Sequence, residues 1–267
     1  MAPTMRKIIF IALTLIPLLT FSQQQSIIPF FSNSEKWETG QYIGKDNFGN
    51  FYSINQNEFK KTSPNQVYFY KNVSLGKIHQ VDLQNPLQLV LFYKQFTTAV
   101  LLDNQLNETT RINFSELQTP LNPEAVSLAS QNRLWVYDML TQKLGLFDIQ
   151  KSTFQSITPS FKENVKFYQS DYNYFYWIDT KQNLYVSNLF GKVNFLGHVP
   201  DYNQLQVVSP KQILMKIDNG LFLYNLEDES LSPIQLNEKS FSHFSFKDQI
   251  LSIFTENEIS QYKITLP

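Results

Sequence analysis

Arg133-Leu-Trp-Val-Tyr-Asp138 is a polar residue followed by an apolar and aromatic run that stops at a turn-forming aspartate. Five further segments have the same form: Asn50-Phe-Tyr-Ser-Ile54, Gln88-Leu-Val-Leu-Phe-Tyr93, Asn173-Tyr-Phe-Tyr-Trp-Ile-Asp179, Gln212-Ile-Leu-Met-Lys-Ile-Asp218 and Gln249-Ile-Leu-Ser-Ile-Phe254. Their first residues lie 38, 45, 40, 39 and 37 positions apart. Runs this short and this continuously apolar read as strands buried on both faces. A repeat of about 40 residues with several strands in each unit is the signature of propeller blades.

The flanks of each run agree. A tight polar turn leads to a second apolar segment at 98–103, 143–148, 183–188 and 220–225, and a third follows at 110–114, 153–158, 192–197 and 232–236. A weaker strand precedes each run, at 124–128, 165–169, 204–208 and 241–246. The fold class is therefore all-β, a six-bladed β-propeller of four-stranded antiparallel blades. The last blade has two clear strands past its inner one before Pro267. The short apolar segment Ser26–Phe31 is expected to complete it, joining the chain ends and removing two exposed strand edges.

Composition fits a β fold that depends on packing. Of 267 residues, 42% are hydrophobic, which excludes a disordered chain, and 17% are charged, well below the average for globular proteins. Amides fill the gap, with 23 Asn and 24 Gln, and the 23 Phe and 14 Tyr favour pleated, half-buried surfaces. Abundant amides and aromatics on a surface suit binding to protein or glycan. A net charge of −1 without a basic tract argues against nucleic acid as a partner.

The first residues read as an address. Arg6 and Lys7 precede an apolar run over 8–19, too short for a membrane helix, and Thr20-Phe21-Ser22 offers small residues for cleavage before Gln23. The expected organisation is a signal peptide over 1–22 and a single propeller domain over 23–267, with no transmembrane segment in the mature chain. The absence of cysteine excludes a lipidated cysteine and disulfides, zinc ribbons, Cys-ligated iron–sulfur clusters and thiol catalysis.

Catalytic signatures are sparse, and the expectation is no catalytic residue, no metal and no cofactor. His79, His198 and His243 fall in three different blades with no metal-ligand spacing; His198 reads as a loop residue. No nucleophile elbow, phosphate loop or dinucleotide fingerprint occurs. Glu227-Asp228-Glu229 are adjacent in a turn, where neighbouring side chains point apart rather than across one sugar. After cleavage only Arg111 and Arg133 remain, too few for an arginine-triad sialidase. Asp138, Asp179 and Asp218 end apolar runs, where aspartate forms turns by bonding its own backbone.

Most aromatics belong between blades. Those at strand ends are the candidates for an outward protein-binding role: Tyr93 and Phe96 in the second blade and Tyr172 in the fourth. Leu89, Leu91 and Phe92 read as core, and Asp103 and Asn104 as the following turn.

The Cys-free, Phe-, Tyr- and Asn-rich chain with a Gln-rich start after Ser22 is similar to exported proteins of the Bacteroidota. The segment Asp82-Leu-Gln-Asn-Pro-Leu87, with Leu91-Phe-Tyr93, Phe96 and Leu101-Leu-Asp-Asn104, resembles a group of periplasmic β-propellers of that phylum. The likeness covers the whole mature chain in period and is specific over 82–104. It implies a non-catalytic accessory subunit, scaffold or plug, that binds a protein partner in the cell envelope. The partner implied is an outer-membrane complex such as the type 9 secretion translocon, whose periplasmic mouth is closed by one such plug. An exported glycan-binding or cell-surface module is the alternative, and a hydrolase a further one.

Overall fold

A computed structural model describes residues 26–36 and 40–267; the signal-peptide reading over 1–22 lies outside the described residues. The described chain is a six-bladed β-propeller in which every blade is a four-stranded antiparallel sheet. Strand β1 is Phe30–Lys36. Blade 1 holds β2 (Gln41–Lys45), β3 (Phe51–Asn55), β4 (Glu58–Thr62) and β5 (Val67–Tyr70), and blade 2 holds β6 (Gln80–Asp82), β7 (Leu89–Tyr93), β8 (Thr98–Leu102) and β9 (Glu108–Asn113). Blade 3 holds β10 (Pro123–Ala129), β11 (Arg133–Asp138), β12 (Lys143–Asp148) and β13 (Thr153–Ser156). Blade 4 holds β14 (Val165–Ser170), β15 (Tyr174–Asp179), β16 (Asn183–Asn188) and β17 (Val193–His198). Blade 5 holds β18 (Gln204–Ser209), β19 (Gln212–Ile217), β20 (Gly220–Asn225) and β21 (Leu231–Ile234). Blade 6 holds β22 (His243–Lys247), β23 (Ile250–Phe254) and β24 (Glu258–Lys263), with β1 against β24.

The six quoted runs are the second strands of the six blades, and their side chains alternate between the two neighbouring blades. Leu89, Leu91 and Tyr93 of β7 pack with Tyr52 and Phe59 of blade 1, while Val90 and Phe92 pack with Val126, Leu134 and Val136 of blade 3. This two-sided burial is why the runs are continuously apolar rather than alternating.

The strand beside β24 is Phe30–Lys36 and not Ser26–Phe31; only Phe30 and Phe31 are shared. Residues before it do something else. Ile27 lies parallel to the outer strand of blade 5, donating its N–H to Pro233 O and accepting from Gln235 N, each at 2.9 Å. All seven residues of β1 are exposed, so the strand carries no apolar pattern that would reveal its bounds. A second correction concerns His198, which ends β17 and is not in a loop.

The first strands of the blades stand side by side, and side-chain clamps tie them together. Gln204 donates to Phe244 O (2.8 Å) and accepts from Phe244 N (2.9 Å), and Gln206 does the same to Phe246 (2.5 and 2.8 Å). Gln169 grips Val207 in the same way at 2.8 and 2.9 Å. Between blades 2 and 3 the task is divided: Asp82 accepts from Leu128 N (2.6 Å) and Gln84 donates to Leu128 O (3.0 Å). Between the first strands of blades 3 and 4 the link is a Ser170–Ser127 hydroxyl bond at 2.6 Å, and beyond those strands Ser130 N and Trp135 Nε1 donate to Tyr172 O and Asp171 O at 2.8 and 2.9 Å. Each bidentate clamp satisfies backbone groups of an inner strand whose flank has no strand partner.

Candidate functional site

The three residues singled out from sequence do not converge. Tyr93 is fully buried at the seam of blades 1 and 2, among Tyr52, Phe59, Leu75 and Ile78. Its place at a strand end suggested an outward side chain; the structure corrects this, because β7 is covered on both faces to its last residue. Burial pushes its hydroxyl well above the usual tyrosine range. Phe96 lies in the 3-10 turn Lys94–Phe96 after β7 and is 46% exposed. Its ring stands close to Gly76, where a Cβ would meet it at 3.2 Å, and Gly76 has a φ of +68°, so the turn and the preceding inter-blade link fit only through glycine. Tyr172 lies in the turn between β14 and β15, is 38% exposed, and its hydroxyl reaches Gln84 O at 3.5 Å. Gln84 precedes β7 and Phe96 follows it, so Phe96 and Tyr172 occupy opposite ends of that strand and opposite faces of the ring.

Acidic side chains that could have served chemistry are committed to turns. Asp46 accepts from Phe48 N, Asn50 N, Asn50 Nδ2 and Tyr52 Oη. Burial works to raise its pKa, but these hydrogen bonds outweigh burial and hold the carboxyl below its ordinary value. Asp138 accepts from Asn122 N, Thr141 N and Thr141 Oγ1, and Asp179 from Lys181 N, Asn183 N and Asn183 Nδ2. Glu227 is exposed and paired with Lys211 at 2.7 Å. Among the described residues no three His, Cys, Asp or Glu side chains gather as a metal site. His79 meets Phe92 edge-on at 5.9 Å, and His243 stacks on Phe254 at 4.4 Å with burial lowering its pKa.

An apolar cleft on blade 4 was not apparent from sequence. A cleft of about 360 Å³ opens between the connection 159–163 and blade 4, floored by Phe161, Trp177 and Tyr185. Phe161 stacks on Trp177 at 4.3 Å and Trp177 on Tyr185 at 5.3 Å. A Lys181–Glu163 ion pair at 2.5 Å spans from blade to loop, and the Lys181 ammonium holds the Glu163 carboxyl below its usual range. Beside the cleft the rim of blade 4 exposes Phe190 (90%), Phe195 (59%) and Val193 (38%). The aromatic run of β15 read as packing between blades, with no sign that a connecting loop would leave part of its face open.

No protein-family model matches the chain, and no curated protein matches it in sequence. Solved structures match it in architecture. Virginiamycin B lyase from Staphylococcus aureus is 9% identical with a TM-score of 0.56, over 87% of this chain and 99% of that one. A member of the DUF4221 family from Bacteroides vulgatus is 7% identical with a TM-score of 0.57, over 91% of this chain and 99% of that one. PorZ of Porphyromonas gingivalis, an essential bacterial surface component of the type-IX secretion system, is 13% identical with a TM-score of 0.51. The match covers 90% of this chain and 34% of PorZ, about a third of the larger protein. The likeness is one of fold. It spans a lyase and a secretion component alike, so chemistry has to be argued from this chain's own side chains.

Proposed function

We propose that the protein is an exported, non-catalytic propeller that binds a protein partner in the cell envelope, as an accessory subunit of an outer-membrane complex such as the type 9 secretion machinery. The observation that carries this reading is the division of labour among side chains. Asp46, Asp138 and Asp179 are spent on turn N–H groups, the histidines lie apart in three blades, and large apolar groups such as Phe190, Phe195 and Phe69 stand exposed on blade rims. Exposed apolar patches rimmed by polar residues mark interaction surfaces. The PorZ likeness supports an envelope setting, and among the described residues no helix is long and apolar enough to cross a membrane.

Affinity capture of the tagged protein from the native cell envelope tests the proposal. Stoichiometric recovery of outer-membrane proteins is the expected result. Retention on envelope polysaccharide with no protein partner would contradict it and favour the glycan-binding alternative.

A further inference from the structure

Among the described residues six blades present six outer strands with no further strand of a sheet beside them, and five of these edges are guarded. Strand β9 carries the Glu108–Arg111 ion pair, and β1 carries Glu35 and Lys36 and a bulge between Phe31 and Asn33. The edge of β21 contains Pro233 and is covered by Ile27. Strands β5 and β13 are four residues long, and the Lys60 ammonium stands over Phe69 of β5 at 5.9 Å. Short length, charge, proline, bulges and a covering segment are the usual means by which edges avoid pairing.

Strand β17 departs from this. It has six residues, no acid, lysine or arginine, and Val193, Asn194 and Phe195 all exposed. These three remain in regular register with Ser187, Val186 and Tyr185, the bulge falling after them at Leu196. Trp177, Tyr185 and Phe195 are directly paired across β15, β16 and β17 and so share one face, the face that opens on the cleft. A strand laid along β17 would continue that face and set alternate side chains beside Phe195 at the cleft. The flanks are basic: Lys162 at the cleft and Lys192 at the start of the edge are exposed and have no ion-pair partner among the described residues, whereas Glu163 is neutralised by Lys181. The chain already performs this kind of addition on itself, where Ile27 pairs with the rim of blade 5.

We propose that the outer edge of blade 4 is a strand-addition site for an extended segment of a protein partner, with apolar side chains at alternate positions and acidic residues at its flank. Main-chain bonds to β17 supply affinity, the aromatic cleft reads the alternate side chains, and Lys162 and Lys192 read the acids. This rests on the protein-binding reading above and names the surface that serves it.

The test is fluorescence anisotropy with a labelled synthetic peptide, Asp-Asp-Thr-Phe-Thr-Val-Thr-Phe. Wild-type protein should bind it saturably. Phe195→Lys should weaken binding by about tenfold or more, as expected for an interface anchor. Lys162→Glu with Lys192→Glu should also weaken it, and all variants should keep the wild-type melting temperature because the sites are exposed. A peptide with lysines in place of the aspartates should bind less. Absence of saturable binding, or equal binding to Phe195→Lys, overturns the site. A wild-type dimer in sedimentation velocity that Phe195→Lys abolishes overturns it too, since the edge would then serve a second copy. Envelope capture separates the two proposals. If Phe195→Lys recovers the same envelope partner as wild type, this site is wrong and the protein-binding reading stands. If wild type binds the peptide but recovers no envelope protein, the reverse holds.

Discussion

The second blade's face toward blade 1 and the first blade's face toward blade 6 are built on the same register and filled with opposite chemistry. In blade 2, Leu89 pairs with Leu102 and Leu91 with Val100, and all four are fully buried. In blade 1, the corresponding pairs are Phe51 with Thr62 and Ser53 with Lys60. Tyr93, buried, corresponds to the exposed Asn55. Among the described residues the blade-1 face lines a cleft of about 500 Å³ with Glu35 and Lys36 of β1 opposite. The buried cluster at this seam holds, among the described residues, Tyr42, Phe254 and Ile259, against ten residues at the seam of blades 1 and 2. The backbone clamps follow the same division. They, with the Ser127–Ser170 bond, run from blade 2 to blade 6, and among the described residues no amide or carboxylate clamp of this kind joins β22 to β2 or β2 to β6. Blades 2 to 6 thus form a stitched arc, and among the described residues blade 1 meets blade 6 through a smaller buried cluster centred on Tyr42 and Phe254, whose rings lie 4.2 Å apart. A closed ring does not need equal seams; it needs enough of them.

The comparison can be broken most forcefully through β1. Removing residues 26–36 strips blade 6 of its fourth strand and blade 5 of its Ile27 cover, exposing two edges; a fall in melting temperature large enough to cause aggregation is expected. An unchanged melting curve would mean that β1 does not fasten the ring. Next in size is a matched pair of core substitutions. Leu91→Ala should cost about 2–5 kcal/mol in denaturant unfolding, as a large-to-small change in a packed core. Ser53→Ala, at the equivalent place in blade 1, should stay within about 0.5 kcal/mol. Equal costs would show that the two seams are energetically alike.

The clamps come third. Gln206→Leu leaves the N–H and C=O of Phe246 without their partner and should cost about 1–3 kcal/mol. The smallest effects are those of pH, and they run in opposite directions. Burial lowers the pKa of His243 at the seam of blades 6 and 1, so its contribution is complete at neutral pH and is lost as pH falls below the ordinary histidine range. Burial raises the pKa of Asp82 in the clamp between blades 2 and 3, against the N–H donors of Leu128 and Gln84, so its contribution is complete in acid and is lost as pH rises from the ordinary carboxylate range toward the raised value. His243→Gln should flatten the fall in stability that begins as pH drops below the ordinary histidine range, and Asp82→Asn the fall that begins as pH rises above the ordinary carboxylate range.

The ring was legible because two-sided burial leaves a continuous apolar imprint, repeated six times, on the second strands. Strands with little burial left none: β1 is exposed throughout, and its bounds were misplaced by several residues. The clamps were hidden for a different reason. Gln169, Gln204 and Gln206 look like surface amides, and the abundance of amides read as a binding surface, whereas these side chains act inside the ring on backbone groups of the next blade. Tyr93 looked outward because it ends a strand, yet it is buried in a cluster that takes in Tyr52 and Phe59 of blade 1 and Leu75 and Ile78 of the link between the blades. The open edge of β17 depends on which other described residues lie beside it, which a local pattern does not encode.

Amide hydrogen exchange under native conditions tests the stitched arc most directly. The account predicts that the N–H groups of Val207, Phe244 and Phe246, each held by a glutamine side chain, exchange only through the largest openings, while the amides of β2 exchange through a smaller one in which blade 1 parts from blade 6. Uniform protection around all six inner strands, or faster exchange in β18 and β22 than in β2, would contradict it.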